Sequence, residues 1–251
     1  MKKYLLIIIR KLDLYKYWVA FREDYYPTSS IKKMRAFYGD FIMPNMLCFD
    51  IGANMGNRIS IFLFLKAKVV AVEPQKSCLK FLNERFTNRA VIISKGVSNK
   101  VGVQNLFVSD QSLLSSFSKD WIGTIQDKFG HHNWDQVEQV EMTTLDQLIE
   151  QYGKPDFIKI DVEGYEFEVL SGLSSSVKRL SFEYTYPEQT NGIIECLIKL
   201  QSIMPSATYN YSKGETFEFV KKSYITAPEL ISEFRSGTFQ GGGSGDIYMI
   251  N

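Results

Sequence analysis

Short apolar runs alternate with amphipathic stretches through most of the chain. Each run is followed by a polar residue or a turn, which is typical of strands that are buried on both faces. The predicted core strands are Leu47–Ile51, Lys68–Val72, Ala90–Ser94, Phe157–Ile160 and Leu180–Tyr184. The alternation predicts an α/β fold, a mostly parallel sheet with helices on both faces.

Helical periodicity follows several of these runs. The predicted helices are Arg58–Leu65, Ser77–Phe86, Gly164–Leu173 and Ile193–Ile203. Pro205 ends the last of them, since proline cannot continue a helix. Near the carboxyl end, Thr216–Val220 and Asp246–Ile250 are predicted to form a hairpin around the glycine tract Gly241–Gly245.

Two regions depart from the alternation. Residues 101–140 are polar and rich in serine and aromatic residues, which predicts an insert of strands and loops between the third and fourth core strands. Inserts of this length in a compact domain are usually lids or binding loops. Residues 1–45 are predicted to form a helical segment packed on a single domain of residues 46–251.

The amino-terminal apolar run Tyr4–Ile9 is broken by Arg10 and Lys11. It is too short for the core of a signal peptide or for a transmembrane helix. Basic and aromatic residues alternate there, so a helix lying on a membrane surface is an alternative to the packed helix that we favour. We expect a cytoplasmic protein without a transmembrane span.

Composition and charge exclude some classes of protein. The 251 residues are 45% hydrophobic and 23% charged, with a formal net charge of +1. Such a balance gives no general attraction to nucleic acid, and we expect no nucleic-acid partner. The three cysteines, Cys48, Cys78 and Cys196, have no metal-binding spacing and are expected to be free thiols.

Carboxylates stand at or near the ends of four predicted strands. Asp50 lies at the end of the first strand and Glu73 follows the second, Asp161 and Glu163 follow the fourth, and Glu183 lies near the end of the fifth. Ligands of parallel sheets bind beyond the carboxyl ends of the strands. We therefore expect these side chains to share a polar cleft.

The turn sequence GANMG follows the first strand and contains Gly52, Asn54 and Gly56. Glycine and asparagine tolerate a left-handed backbone, and the following helix offers unpaired N–H groups to a ligand. Glu73 lies 21 residues after Gly52, the spacing of a carboxylate that accepts the hydroxyls of a ribose. Asn54 stands where a dinucleotide-binding turn needs glycine, and Asp50 suits a cation better than a diphosphate. S-adenosylmethionine (SAM), which has a ribose and a sulfonium but no phosphate, is therefore the favoured cofactor.

Four motifs in this order resemble the FkbM family of SAM-dependent methyltransferases. They are DIGANMG from Asp50, VEP from Val72, TLDQL from Thr144 and IKIDVEGYEFEVLSG from Ile158. The last string is the most specific, and the closing GDIYMI is similar to the last strand of the family. The resemblance covers about Cys48–Tyr186 and is weak in the amino-terminal segment and the insert.

The resemblance implies a class I, Rossmann-like methyltransferase fold with a seven-stranded sheet whose last strand is antiparallel. Family members mostly methylate hydroxyl oxygens of sugars, polyketides and other small or glycan-like acceptors, so a small-molecule or glycan acceptor is implied. Ser98 would lie near the adenine. The implied cofactor-binding residues are Asp50, Gly52, Asn54, Gly56, Glu73 and Ser98. Asp161, directly at a strand end, is also expected to contact the cofactor.

Methylation of a hydroxyl calls for a general base near the acceptor. The candidates are Asp161, Glu163 and Glu183, and Glu163 is favoured over Asp161. The same carboxylates are alternatively the ligands of a divalent cation that orients the acceptor. His131 and His132 are expected in a solvated loop, and no metal site is predicted there.

Two other functions stay open at the level of sequence. One is a SAM-binding scaffold that has lost catalysis, and the other, less favoured, is a nicotinamide-dependent oxidoreductase on a related sheet. The intact turn and the retained strand-end carboxylates favour the enzyme. The motifs identify neither the acceptor nor the oligomeric state.

Overall fold

The computed structural model describes residues 26–126 and 132–251. The predictions for residues 1–25 and for His131 lie outside the described residues. The helices are α1 (Ser29–Gly39), α2 (Asn57–Phe64), α3 (Lys76–Phe86), α4 (Lys119–Gln126), α5 (Leu145–Tyr152), α6 (Glu166–Ser171), α7 (Thr190–Ile203) and α8 (Ala227–Ser236). The strands are β1 (Leu47–Ile51), β2 (Lys68–Val72), β3 (Val91–Ile93), β4 (Gly96–Val97), β5 (Gly102–Val108), β6 (Gln136–Thr143), β7 (Phe157–Ile160), β8 (Arg179–Tyr186), β9 (Thr208–Lys213), β10 (Ile225–Thr226) and β11 (Gly243–Ile250).

The main sheet has eight strands in the order β10-β9-β11-β8-β7-β1-β2-β3. The five strands from β3 to β8 in this order are parallel to one another. The last strand, β11, lies between β8 and β9 and is antiparallel to both. The sheet confirms the predicted α/β fold and the antiparallel last strand. It has one strand more than the implied seven, because the two-residue β10 pairs with β9 at the edge.

The core strands were predicted from the sequence, but the bounds of one helix and the pairing of the last strand were not. The predicted helix Gly164–Leu173 is only α6, because Glu163 and Gly164 have φ of 53° and 83°, which a right-handed helix cannot include. The predicted hairpin is wrong, because β11 pairs along its length with β9 and not with Thr216–Val220.

The correct partner, β9, was missed because both of its faces are buried. Asn210 and Ser212 are as deeply buried as Tyr209 and Tyr211, so β9 lacks the apolar alternation of a strand with one exposed face. A Cβ at Gly245 would lie 2.1 Å from the carbonyl oxygen of Ser212. Part of the glycine tract therefore belongs to β11 and lets the two strands approach.

The two faces of the sheet carry separate hydrophobic cores. One core lies under α5 to α8, and the other lies under α1, α2 and α3. On the second face, Met34, Phe37 and Tyr38 bury one side of α1. The ring of Phe157 on β7 lies 6.0 Å from that of Tyr38 and 5.8 Å from that of Phe62, between centroids.

The insert at 101–140 forms a small sheet of its own. Strands β5 and β6 are antiparallel, and β4 pairs with β6. Leu106, Val140 and Met142 form a small core on its inner face, and a short 3₁₀ turn at Ser112–Leu114 follows β5. Across the two described ranges, no helix combines the length and the apolar character needed to cross a bilayer.

Truncation of Phe157 tests the packing of α1 on the sheet. We expect Phe157→Ala to lower the free energy of unfolding by about 3–5 kcal/mol, because it opens a cavity among buried rings. Urea unfolding measures the change. Val103→Ala on β5 is the control, because this side chain is 61% exposed and its loss should cost less than about 0.5 kcal/mol. Equal costs for the two variants would contradict the described packing.

Candidate active site

A cavity of about 390 Å³ lies at the carboxyl ends of β1, β2, β7 and β8. This volume is within the usual range of sites for small molecules. The residues predicted for the site that line the cavity are Gly52, Asn54, Glu73, Asp161, Glu163 and Glu183. The carboxylates predicted after β2, after β7 and on β8 therefore share one cleft, whereas Asp50, which was predicted to join them, does not line it.

The glycine turn after β1 is shaped first by its protein neighbours. Gly52 has φ of 83°, and a Cβ there would lie 1.8 Å from the carbonyl oxygen of Asp161. Only glycine lets the ends of β1 and β7 approach so closely. Gly56, with φ of 78°, packs against Leu82 and Phe86 of α3 and does not line the cavity.

Glu73 clamps this turn from the end of β2. One carboxylate oxygen accepts the N–H of Asn54 at 2.7 Å, and the other accepts the N–H of Gln75 at 2.8 Å. The side chain is buried, and burial raises the pKa of Glu73 to about 7. Each carboxylate oxygen can accept more than one hydrogen bond, so Glu73 keeps capacity for ligand hydroxyls.

The insert covers this end of the cavity. Ser112 Oγ donates to Asn54 Oδ1 at 3.3 Å, and Gln75 Nε2 donates to the carbonyl oxygen of Ser112 at 3.0 Å. The apolar part of the lining comes from β2, β4 and the insert, with Val72, Val97, Leu106, Leu114 and Phe117. Such walls suit a flat aromatic ring.

Ser98 and Asp50 are placed differently from the other predicted site residues. Both are fully buried, and neither lines the cavity. Ser98 Oγ lies 3.3 Å from Tyr165 Oη and accepts from Gln104 Nε2 at 3.3 Å. Gly96 and Val97, just before Ser98, line the cavity instead.

The other end of the cavity contains the predicted catalytic carboxylates. Asp161, Glu163 and Glu183 each offer an oxygen within 4.8 Å of the other two. Lys159, which is fully buried, donates to Asp161 at 3.1 Å and pairs with Asp246 at 2.8 Å. Lys159 on β7 thus holds the carboxylates of Asp161 and Asp246 in place.

The three acids differ in charge state because of that lysine. Burial raises the pKa of Asp161 while the charge of Lys159 lowers it, and the net pKa lies below the usual value. Burial, followed by the charge of Asp161, raises the pKa of both Glu163 and Glu183 well above the usual range. Asp161 is therefore ionised, and the other two carboxyl groups hold protons more tightly.

Arg58 is a cavity residue that the sequence analysis did not single out. Its Nη2 pairs with Glu215 at 3.1 Å, and its buried Nε has no hydrogen-bond partner among the described atoms. Asp50, behind it, has a buried oxygen that likewise lacks a hydrogen-bond partner in the described chain. The signal in the sequence was an arginine two residues after Gly56, in the first turn of the helix that the glycine turn opens.

His132 does not line this cavity. His132 Nδ1 lies 2.8 Å from Asp110, with half of the aspartate exposed. Within residues 26–126 and 132–251, the group of potential metal ligands is Asp161, Glu163 and Glu183.

The buried Asp50 predicts how the stability of the protein depends on pH. Burial raises the pKa of Asp50 to about 7, although Lys159 and Arg58 oppose this. The folded protein then binds a proton that the unfolded chain releases near pH 4, so the free energy of unfolding falls between about pH 4 and pH 7. We expect Asp50→Asn to reduce this fall by about 2 kcal/mol between pH 5 and pH 7. Urea unfolding at the two pH values measures it, and an unchanged dependence would contradict the assignment.

The sequence is similar to a known methyltransferase family and to one curated protein. Residues 50–217, more than half of the chain, match the model of the methyltransferase FkbM domain. A curated relative, the hexuronic acid methyltransferase AglP of Haloferax volcanii, is 28% identical over 138 residues, which are 53% of this chain and 52% of AglP. The chain thus spans about half the length of that relative.

Solved structures similar to this chain include those of a fibrillarin and of a precorrin methyltransferase. Fibrillarin of Aeropyrum pernix, in complex with natively bound S-adenosyl-L-methionine, is 8% identical with a TM-score of 0.45 over 87% of this chain and 74% of that one. Precorrin-6y C5,15-methyltransferase of Geobacter metallireducens is 11% identical with a TM-score of 0.44 over 87% and 89%.

Proposed function

The chain belongs to the FkbM methyltransferase family, and we propose that it is a SAM-dependent O-methyltransferase acting on a hydroxyl of a sugar, a glycan or another small polyhydroxylated acceptor. One observation carries the proposal: a single cavity joins the buried clamp Glu73 to the carboxylates of Asp161, Glu163 and Glu183. The strand order places the turn after β1 between these two groups.

The residues of the cavity fit the parts of SAM. The oxygens of Glu73 would accept the ribose hydroxyls, and the apolar walls beside it would hold the adenine. The ionised Asp161 suits the ammonium group of the cofactor. The buried Nε of Arg58, which lacks a partner in the described chain, suits its carboxylate.

When bound, SAM supplies an activated methyl group, and its transfer leaves S-adenosylhomocysteine. The residues of the chain position the acceptor oxygen and accept its proton. Holding the acceptor oxygen in line removes much of the entropic barrier. As the oxygen gains the methyl group, its proton passes to the pair Glu163 and Glu183, whose raised pKa values bring them nearer to the pH of the reaction. Asp161 is a poor base, because Lys159 keeps it ionised at low pKa.

The acceptor class follows from the family and from the relative. AglP is named for the methylation of a hexuronic acid, and a sugar acceptor for this chain is our extension of that name.

Three carboxylates alone do not make a metal site, so proton transfer is the role that we assign to them. Dialysis against EDTA should leave the activity intact, and a loss that Mg²⁺ restores would assign them to a cation instead.

Two measurements separate this proposal from its rivals. Release of S-adenosylhomocysteine with a panel of sugars would exclude an inactive SAM-binding scaffold. Calorimetric titration with SAM and with NAD separates a methyltransferase from an oxidoreductase, and tight binding of NAD alone would overturn the proposal.

Glu73→Gln tests the cofactor end of the cavity. The amide presents N–H groups to main-chain N–H groups and ribose hydroxyls that need acceptors, so we expect the affinity for S-adenosylhomocysteine to fall about 10- to 100-fold. Isothermal titration calorimetry measures the affinity, and circular dichroism checks the fold. Glu150→Gln on the exposed face of α5 is the matched control and should bind like the parent. Parental affinity in Glu73→Gln would remove Glu73 from the site.

Glu163→Gln and Glu183→Gln test the proton acceptor. We expect either change to lower turnover by about 10²- to 10⁴-fold, because a general base contributes on that scale. The affinity for S-adenosylhomocysteine should stay within about threefold of the parent. Turnover is followed as release of S-adenosylhomocysteine with the sugar that the panel identifies. Near-parental turnover in both variants would show that neither carboxylate takes the proton.

A further inference from the structure

A second cavity, of about 410 Å³, lies against the first and shares the side chain of Glu183 with it. It is lined by the start of α4, Gly164 and the start of α6, the middle of β8, and the start of α7 with the residues just before it. We propose that this second cavity binds the acceptor, and that the acceptor is a sugar without a carboxylate group. The inference rests on the proposed methyltransferase function and names its substrate class.

The acceptor needs space of its own. The first cavity, at about 390 Å³, has room for one small molecule, and its contacts match the cofactor from Glu73 to Arg58. Of the three proposed catalytic carboxylates, Glu183 lines both cavities. Gly164, next to Glu163, lines the second cavity. An acceptor in the second cavity therefore has the proposed proton acceptors at its border with the cofactor.

The chemistry of the lining suits a sugar. Hydroxyl and amide groups that exchange hydrogen bonds with sugar hydroxyls come from Ser118, Thr124, Gln189 and Asn191. The apolar walls come from side chains that include Trp121 and Phe167. Trp121 packs tightly on the loop of the catalytic acids, since a Cβ at Gly164 would lie 2.3 Å from its ring.

The acidic side chains of the lining disfavour a carboxylate on the acceptor. Four of the lining residues are acidic, namely Asp120, Glu166, Glu183 and Glu188. Among the described residues that line this cavity there is no lysine or arginine. A hexuronate would bring a negative charge next to Asp120 and Glu188. It would further oppose ionisation of Glu166 and Glu183, whose pKa values burial already raises. A neutral sugar or an amino sugar meets no such penalty.

The competing place for the acceptor is the Arg58 end of the first cavity. Arg58 and Lys95 line that cavity, so an acceptor held there would tolerate or require a carboxylate. The two placements thus predict opposite charge preferences, and they respond to different substitutions.

Gly192 on α7 allows a clean test. It lines the second cavity and not the first, and a Cβ there meets nothing within 4 Å, so Gly192→Trp fills the cavity without straining the helix. Gly123→Trp on α4 is the matched control, since Gly123 is also helical, has the same open surroundings and lines neither cavity.

The experiment measures sugar binding to the protein saturated with S-adenosylhomocysteine. Saturation-transfer NMR is run with methyl glycosides of neutral hexoses, with hexosamines and with hexuronic acids, and cofactor affinity is measured by calorimetry. We expect neutral or amino sugars to bind, Gly192→Trp to weaken them by about tenfold or more, and both Gly192→Trp and Gly123→Trp to bind the cofactor product like the parent.

Preferential binding of hexuronic acids, unchanged sugar binding in Gly192→Trp, or no binding of any sugar in the panel would each overturn the inference. These results are distinguishable from failure of the proposed function. If the proposed function were wrong, the parent protein would not bind S-adenosylhomocysteine, and calorimetry would show this before any sugar is added.

Discussion

The buried ammonium group of Lys159 is the charge on which the arrangement of the site depends. A buried cation costs several kcal/mol unless it is paired, and Lys159 pairs with Asp161 and with Asp246. Because Asp246 belongs to β11, this pairing ties the antiparallel last strand to the parallel half of the sheet beside the cavity. The lysine also fixes Asp161 as an anion. Burial, and after it the negative charge of Asp161, raises the pKa of Glu163 and Glu183, which is the property that a proton acceptor needs.

At the opposite end of the cavity, a chain of hydrogen bonds joins the glycine turn after β1 to the insert. Glu73 accepts the N–H of Asn54, and the side-chain oxygen of Asn54 in turn accepts from Ser112. Contact between a ligand and Glu73 therefore acts on the same atoms that hold the insert over the cavity. The insert thus shares hydrogen bonds with the turn at one end of the cavity, which connects it to the site.

The sequence was sufficient for those parts of the site that depend on local chemistry. The polar ends of β1, β2, β7 and β8 follow from apolar runs that stop at carboxylates, and these strands were found close to their observed bounds. The pairing of β11 with β9 was not predictable, because a strand buried on both faces with Asn210 and Ser212 inside has no alternation to detect. Ser98 shows the same limit for the site: its spacing matches the family, yet only the packing around Tyr165 and Gln104 shows that its side chain faces away from the cavity.

Glu183 takes part both in the proton transfer and in the selection by charge that we propose. It contributes to the walls of both cavities, and its pKa is already raised by burial and by Asp161. A carboxylate on the acceptor would raise that pKa further, because every added negative charge nearby favours the protonated form. A smaller fraction of Glu183 would then be ionised and able to receive the proton of the acceptor hydroxyl. In the mechanism that we propose, the charge distribution around Glu183 therefore disfavours a carboxylate on the acceptor, such as that of a hexuronic acid, for which AglP is named.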